Sequence, residues 1–206
     1  MTVTRVGIIG MGGFARAHHR AVLDLERRGQ CRFVTTCDPD PSAHRELAAD
    51  LGFSERGVSV YDSYREMLDD ERERLDVVTV PAPLPLHAEM HRACVERGLA
   101  VYLEKPPTLD YAELDEILLV EARAERLTNV GFNYIVETPR QQLKRRLLDG
   151  GFGQVQQVCF HGLWPRSTAY YARTNCAGRL RLGARLMGRP RFGGDLDSMD
   201  GISESR

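Results

Sequence analysis

The stretch Arg5-Val-Gly-Ile-Ile-Gly10-Met-Gly12-Gly13-Phe14-Ala15 decides the fold of this chain. Its first half is apolar and β-branched, as a short buried strand is. Its second half is a G-x-G-x-x-A turn that leads directly into a helical pattern. Such a turn binds the pyrophosphate of a dinucleotide, and each small residue has its own reason. Gly10 lets the chain leave the strand sharply. Gly12 has no side chain to hold a pyrophosphate away from the backbone. Ala15 lets the new helix pack close to the sheet. The free N–H groups of that helix, and the positive end of its dipole, then face the phosphates. Gly10, Gly12, Gly13, Phe14 and Ala15 are therefore the expected cofactor-binding turn.

The second strand, CRFVTTC over 31–37, runs into Asp38. An acid is expected there, about 20 residues beyond the turn, to hold the ribose hydroxyls. A carboxylate accepts from both hydroxyls and repels a 2′-phosphate, so NAD is expected in preference to NADP. The other reading of Asp38 is that it merely begins the turn Asp38-Pro39-Asp40-Pro41. Asp40 before Pro41 reads as an N-cap with proline at the first helical position.

The rest of the chain alternates strand and helix, which implies a parallel sheet. Strands are expected over 6–9, 32–36, 58–61, 75–80, 100–103 and 128–133. Helices are expected over 13–28, 42–51, 63–68, 86–97 and 110–126. In the first helix Ala17, Ala21 and Leu25 repeat every four residues, and that face is expected on the sheet. The DVVTV run suits a strand buried on both faces.

The 206 residues carry a formal net charge of −1 and are 42% hydrophobic. This balance fits a globular enzyme domain and gives no basic surface for nucleic acid. No apolar run reaches membrane-spanning length and no signal-peptide pattern opens the chain, so a cytoplasmic protein is expected. Five cysteines, with no C-x-x-C pair, read as reduced thiols. His87 and His91 share a helical face, but no acid completes a zinc pattern, and no metal site is expected.

Strand five ends in Leu103-Glu104-Lys105-Pro106-Pro107. Lysine at the carboxyl end of a central strand lies where ligands bind in open α/β sheets, and the prolines fix the backbone where it leaves. A lysine beside the nicotinamide would polarise the hydroxyl or carbonyl being interconverted. The alternative is a solvated lysine at a strand end. Glu104 would orient Lys105 or pair with it, on the cofactor side of the loop. After strand four, Pro81, Pro83 and Pro85 stiffen the loop that leads to His87.

Taken in order, GMGGFA, CDPD, VVTVPAPLPLH and LEKPP resemble the glucose–fructose oxidoreductase / inositol dehydrogenase (Gfo/Idh/MocA) family. The later GFNY and the Gly-x-Gly at 151–153 fit the same pattern, and the likeness extends over about residues 5–175. The resemblance implies an N-terminal Rossmann domain over 1–134, followed by an α/β domain whose open antiparallel sheet commonly joins protomers. It implies Lys105 as the catalytic lysine, commonly before a cis peptide, and a sugar or cyclitol as substrate. Pro81 and His87 become cofactor contacts, although His87 reads equally as the first residue of a helix. Asn133 and Tyr134 would line the substrate side, or Tyr134 would pack between domains.

The family's usual aspartate and histidine segment has no counterpart here. The last histidine is His161, and the 193–198 stretch GGDLDS lacks a histidine after it. Residues 154–164 are expected to open the second sheet, and 188–206 to be an irregular tail. The expected whole is an N-terminal Rossmann sheet followed by an incomplete α/β domain over 135–206. That would be a truncated member, through a reading-frame change near Met187, and either an oxidoreductase or a non-catalytic NAD-binding remnant.

Overall fold

The computed structural model describes residues 3–159, 163, 165 and 167–169. Met1–Cys159 form one compact unit and Phe160–Arg206 another. The first unit is built on a six-stranded sheet of β1 (Thr4–Ile9), β2 (Cys31–Cys37), β3 (Ser59–Tyr61), β4 (Val77–Val80), β5 (Ala100–Leu103) and β6 (Thr128–Val130). The order is β3-β2-β1-β4-β5-β6, and every pairing is parallel. The chain therefore winds outward one way from β1, then crosses back to β4 and winds the other way. The switch between β1 and β4 opens a crevice at the carboxyl ends of the strands, where ligands bind in this architecture.

The connecting helices are α1 (Ala15–Arg27), α2 (Arg45–Asp50), α3 (Phe53–Arg56), α4 (Tyr64–Glu71), α5 (His87–Val95) and α6 (Tyr111–Glu121). They cover two faces because side chains alternate along each strand. Val6, Ile8 and Phe33 pack with Val22, Leu23, Leu47 and Phe53 on one face. Ile9, Val34, Val78, Val80, Val101 and Leu103 pack with Met67, Leu68, Met90 and Ile117 on the other. Each such side chain stabilises the fold by roughly 1.5–3 kcal/mol when fully buried.

Helix starts follow the sequence closely. Asp40 accepts from the Ala43 N–H at 3.2 Å, with Pro41 behind it. Ser63 accepts from the Glu66 N–H at 3.4 Å. Asp110 accepts from Ala112 at 2.7 Å and from Glu113 at 3.3 Å.

Four expectations are corrected. The buried face of α1 is Ala15, His19, Val22 and Leu23, whereas Ala17, Ala21 and Leu25 are exposed. A stripe of small alanines was read as the seam, but burial follows the larger side chains, and His19 is among them. The helix expected to run to 126 ends at Glu121, where the Glu121 carboxylate turns to accept from the Thr128 N–H at 2.7 Å. Gln154–Cys159, which should begin a second sheet, has no regular structure and is exposed, as Leu163 is; the other residues of that stretch and the 188–206 tail lie outside the described residues. A helix that the sequence reading missed, α7 (Thr138–Leu148), follows β6. Its signal was present in Pro139 at the helix start and in the good helix formers of RQQLKRRLL.

No helix among the described residues is long and apolar enough to cross a membrane.

Candidate cofactor and active site

Four loops meet at the carboxyl edge. β1 delivers the glycine turn, β2 delivers Asp38, β4 delivers the 81–86 loop, and β5 delivers residues 104–107. Gly10 has φ of 114°, a conformation that L side chains rarely adopt. A Cβ built on it would lie 3.6 Å from the Ala15 Cβ and 3.8 Å from the Pro81 oxygen. Ala15 is fully buried, so Gly10 and Ala15 together seat the start of α1 against the sheet and the β4 loop. The Ala15 N–H donates to the Gly12 carbonyl at 3.0 Å. The N–H groups of Gly12, Gly13 and Phe14 take no protein acceptor among the described residues. These free donors at the positive end of a 13-residue helix suit a pyrophosphate. Phe14 is 62% exposed above them, with its ring edge-on to His18 at 5.5 Å.

Asp38 reaches back to this turn. Its Oδ2 accepts from the Met11 N–H at 3.0 Å and lies 3.3 Å from His44 Nε2. Its Oδ1 accepts from the Asp40 N–H at 3.1 Å. A carboxylate has about four acceptor positions, so Oδ1 retains one for a ribose hydroxyl. The sequence reading missed His44. Its ring lies against Gly12, where an added Cβ would meet Cε1 at 3.2 Å. A side chain at position 12 must therefore displace this imidazole as well as approach any phosphate. Position 44 carries no motif, and only the return of the loop brings it to the turn.

The 104–107 loop is anchored from both sides. The peptide between Lys105 and Pro106 is cis. Glu104 accepts through Oε1 from His18 Nε2 at 3.1 Å and through Oε2 from the Lys105 N–H at 3.2 Å. It therefore holds the Lys105 backbone. The Lys105 side chain is exposed and makes no ion pair among the described residues. Gly131 is required beside this carboxylate, because a Cβ there would come within 2.9 Å of Tyr102 Oη and 3.1 Å of Glu104 Oε1.

His87 is the first residue of α5 and only 2% exposed. Its Nδ1 lies 3.0 Å from the Pro106 oxygen and its Nε2 3.0 Å from the Ala82 oxygen. Both ring nitrogens thus face protein carbonyls, and none is left for a cofactor. Tyr134 lies in a turn over Asn133–Val136, half exposed, with the Arg140 guanidinium 4.6 Å from its ring centroid. An open cleft of about 640 Å³ lies at the opposite, amino edge of the sheet. There Arg5 holds Asp76 with two bonds of 3.0 Å, which keeps that carboxyl well below the usual carboxylate range. None of the four loops at the carboxyl edge lines it.

No group of three or more His, Cys, Asp or Glu side chains that would hold a metal occurs among the described residues. Cys31, Cys37 and Cys94 are buried free thiols, and Cys159 is free and exposed. Burial pushes the Cys37 and Cys94 thiols up to about 12, which makes them inert.

A parallel sheet in this order, with a G-x-G-x-x-A turn after β1 and an acid after β2, defines a dinucleotide-binding Rossmann domain. Residues 4–132 match the Gfo/Idh/MocA oxidoreductase family, described as an oxidoreductase family with an NAD-binding Rossmann fold, and the chain belongs to that family. Among its relatives is an inositol 2-dehydrogenase of Rhizobium meliloti, 26% identical over 77% of this chain and 44% of that one. Another is inositol 2-dehydrogenase 3 of Saccharopolyspora erythraea, 30% identical over 78% of this chain and 45% of that one. The crystal structure of myo-inositol 2-dehydrogenase from Lactobacillus plantarum is 29% identical, with a TM-score of 0.63 over 75% of this chain and 43% of that one. The WlbA dehydrogenase from Chromobacterium violaceum, solved with NADH and UDP-GlcNAcA, is alike in fold. Its TM-score is 0.75 at 24% identity, over 88% of this chain and 50% of that one. The chain spans less than half the length of the two inositol dehydrogenases compared by sequence.

Proposed function

We propose that this chain binds NAD(H) at the 10–15 turn and Asp38, and presents Lys105 to a sugar or cyclitol carbinol from which hydride passes to the nicotinamide. The observation that carries the reading is the convergence at one sheet edge of free turn N–H groups, a carboxylate with an acceptor position left, and an unpaired lysine. The dinucleotide supplies the hydride acceptor at C4 of its nicotinamide. Gly12, Gly13 and Phe14 hold the pyrophosphate through their N–H groups. Asp38 accepts from the adenosine ribose, and its negative charge disfavours a 2′-phosphate. Lys105 donates to the carbinol oxygen and stabilises the charge that develops there as the hydroxyl proton passes to solvent. Pro81 borders the turn beside Gly10 and so flanks the cofactor. Relatives named as inositol dehydrogenases support a polyol substrate, and the free thiols of Cys31, Cys37 and Cys94 fit a cytoplasmic setting. Assembly of protomers through a second-domain sheet follows from the resemblance to the family.

A second reading is favoured by one observation. No histidine follows His161 within these 206 residues, which span under half the length of the two inositol dehydrogenases. The chain would then bind NAD without turnover. Loss of a general acid–base group typically costs about a hundred- to ten-thousandfold in rate. Steady-state assays with NAD and a panel of polyols, run beside NADH titration, separate the two. Turnover abolished by Lys105→Ala with NADH affinity retained supports the oxidoreductase. NADH binding with no turnover supports the remnant.

A further inference from the structure

We propose that His87 and His18 are positioning residues that clamp the backbone around Lys105 from opposite sides. The proposal rests on the reading that Lys105 faces the substrate. Prolines 106 and 107 have no N–H, so this loop has few backbone groups by which to be held. Two of them are taken by buried side-chain systems. The Lys105 N–H is held by Glu104, whose other oxygen is held by His18 from α1. The Pro106 carbonyl, one residue further, faces His87, whose other nitrogen faces Ala82. His18 and Glu104 expose only 10% and 13% of their side chains, and His87 is more deeply buried still.

Each side of the clamp ends on an element of the cofactor site. His18 stands on the helix that the glycine turn begins. Ala82 follows Pro81, whose oxygen borders Gly10. Lys105 is thus fixed relative to the place of the nicotinamide, and not simply carried on a strand end. Reactive groups need this kind of support, because a loose side chain loses the geometry that makes it effective. The ring of His87 donates to the carbonyl that its N–H faces, and to both when doubly protonated.

The chain has only two lysines, Lys105 and Lys144. Labelling lysine with ¹⁵N therefore gives two backbone amide resonances, one in the clamp and one on α7 as a control. In His87→Ala the Lys105 amide is expected to exchange about tenfold faster, as the loss of one hydrogen bond allows, while Lys144 stays within about twofold. His87→Gln retains one donor and is expected to recover most of the protection. His18→Ala, which removes the support of Glu104 from the less buried side, is expected to act in the same direction and decides the matter for the clamp where His87→Ala does not fold. A folded variant of either histidine in which Lys105 keeps its wild-type shift and exchange rate overturns the proposal. NADH titration of the same samples separates the two layers. Failure of the wild-type chain to bind NADH overturns the cofactor reading. Normal binding with an unmoved Lys105 in the variants overturns the clamp alone.

Discussion

Helices α1 and α7 are almost the same length and differ in everything that makes a helix part of a core. α1 buries Ala15, His19, Val22 and Leu23 between two sheet strands and α3. α7 buries nothing. The contrast extends to the regions around them. Every buried hydrophobic side chain among the described residues lies at or before Ile117. After it come exposed Leu118, Leu119, Leu127, Ile135, Val136, Leu148 and Val158. A helix gains most of its stability from tertiary packing, not propensity. The first five strands and their helices, with Ile117 of α6, are thus a folded core, and beyond Ile117 no hydrophobic side chain among the described residues is buried.

The comparison is sharpest in mutational cost. Leu103 on β5 is fully buried, and Leu143 on α7 is 50% exposed. Leu103→Ala is expected to destabilise the chain by about 2–5 kcal/mol. Leu143→Ala should stay within about 0.5 kcal/mol. Urea unfolding of the two variants measures both. Equal costs would mean that α7 packs on something and that the contrast between the regions is wrong.

Acid should act on the first region specifically. His19 is fully buried against Phe33 and Phe53, and neither ring nitrogen has a hydrogen-bond partner among the described residues. Burial, with a smaller contribution from neighbouring His18 and His44, lowers its pKa to about 4. The unfolded chain takes up a proton near the ordinary value of 6.5, and the folded chain does not until about 4. The stabilisation is therefore complete above pH 6.5 and is lost as pH falls toward 4, by about 3 kcal/mol. His91, also lowered by burial, adds in the same direction. His19→Leu should flatten the pH dependence of the urea midpoint between pH 7 and 4.5. A slope in that variant as steep as the wild type's would place the acid sensitivity elsewhere.

The smallest effect belongs to the boundary between the regions. Asp110 caps α6 through two backbone N–H groups. Asp110→Ala is expected to cost about 1 kcal/mol. A loss of several kcal/mol would show that α6 carries more of the cooperative core than Ile117 alone.

The legibility of the sequence follows the same division. β5 was readable to the residue, and the others to within a few, because a strand buried on both faces is a continuous apolar run such as VVTV. The glycine turn, Asp38 and Lys105 could be placed at the carboxyl edge because each follows closely on a strand. His44 and His18 could not, since their contacts depend on which loop returns to which turn. His87 was readable as the first residue of a helix but not as a ring buried between two carbonyls. Its partners Ala82 and Pro106 offer only backbone atoms, and backbone partners leave no trace in side-chain identity. α7 was missed because its apolar side chains, Leu143, Leu147 and Leu148, span barely more than one turn at its end. Its helix formers and its proline were the remaining signal.

Every proposed role depends on the carboxyl edge between β1 and β4 being an NAD(H) site on this chain. Calorimetric titration of the protein with NADH and with NADPH tests this, with Gly12→Val as the control. Saturable NADH binding is expected, with weaker NADPH binding and no binding of either by the valine variant, whose side chain would drive His44 and the phosphates apart from the turn. No heat with NADH, or NADPH binding as tight as NADH, would contradict it.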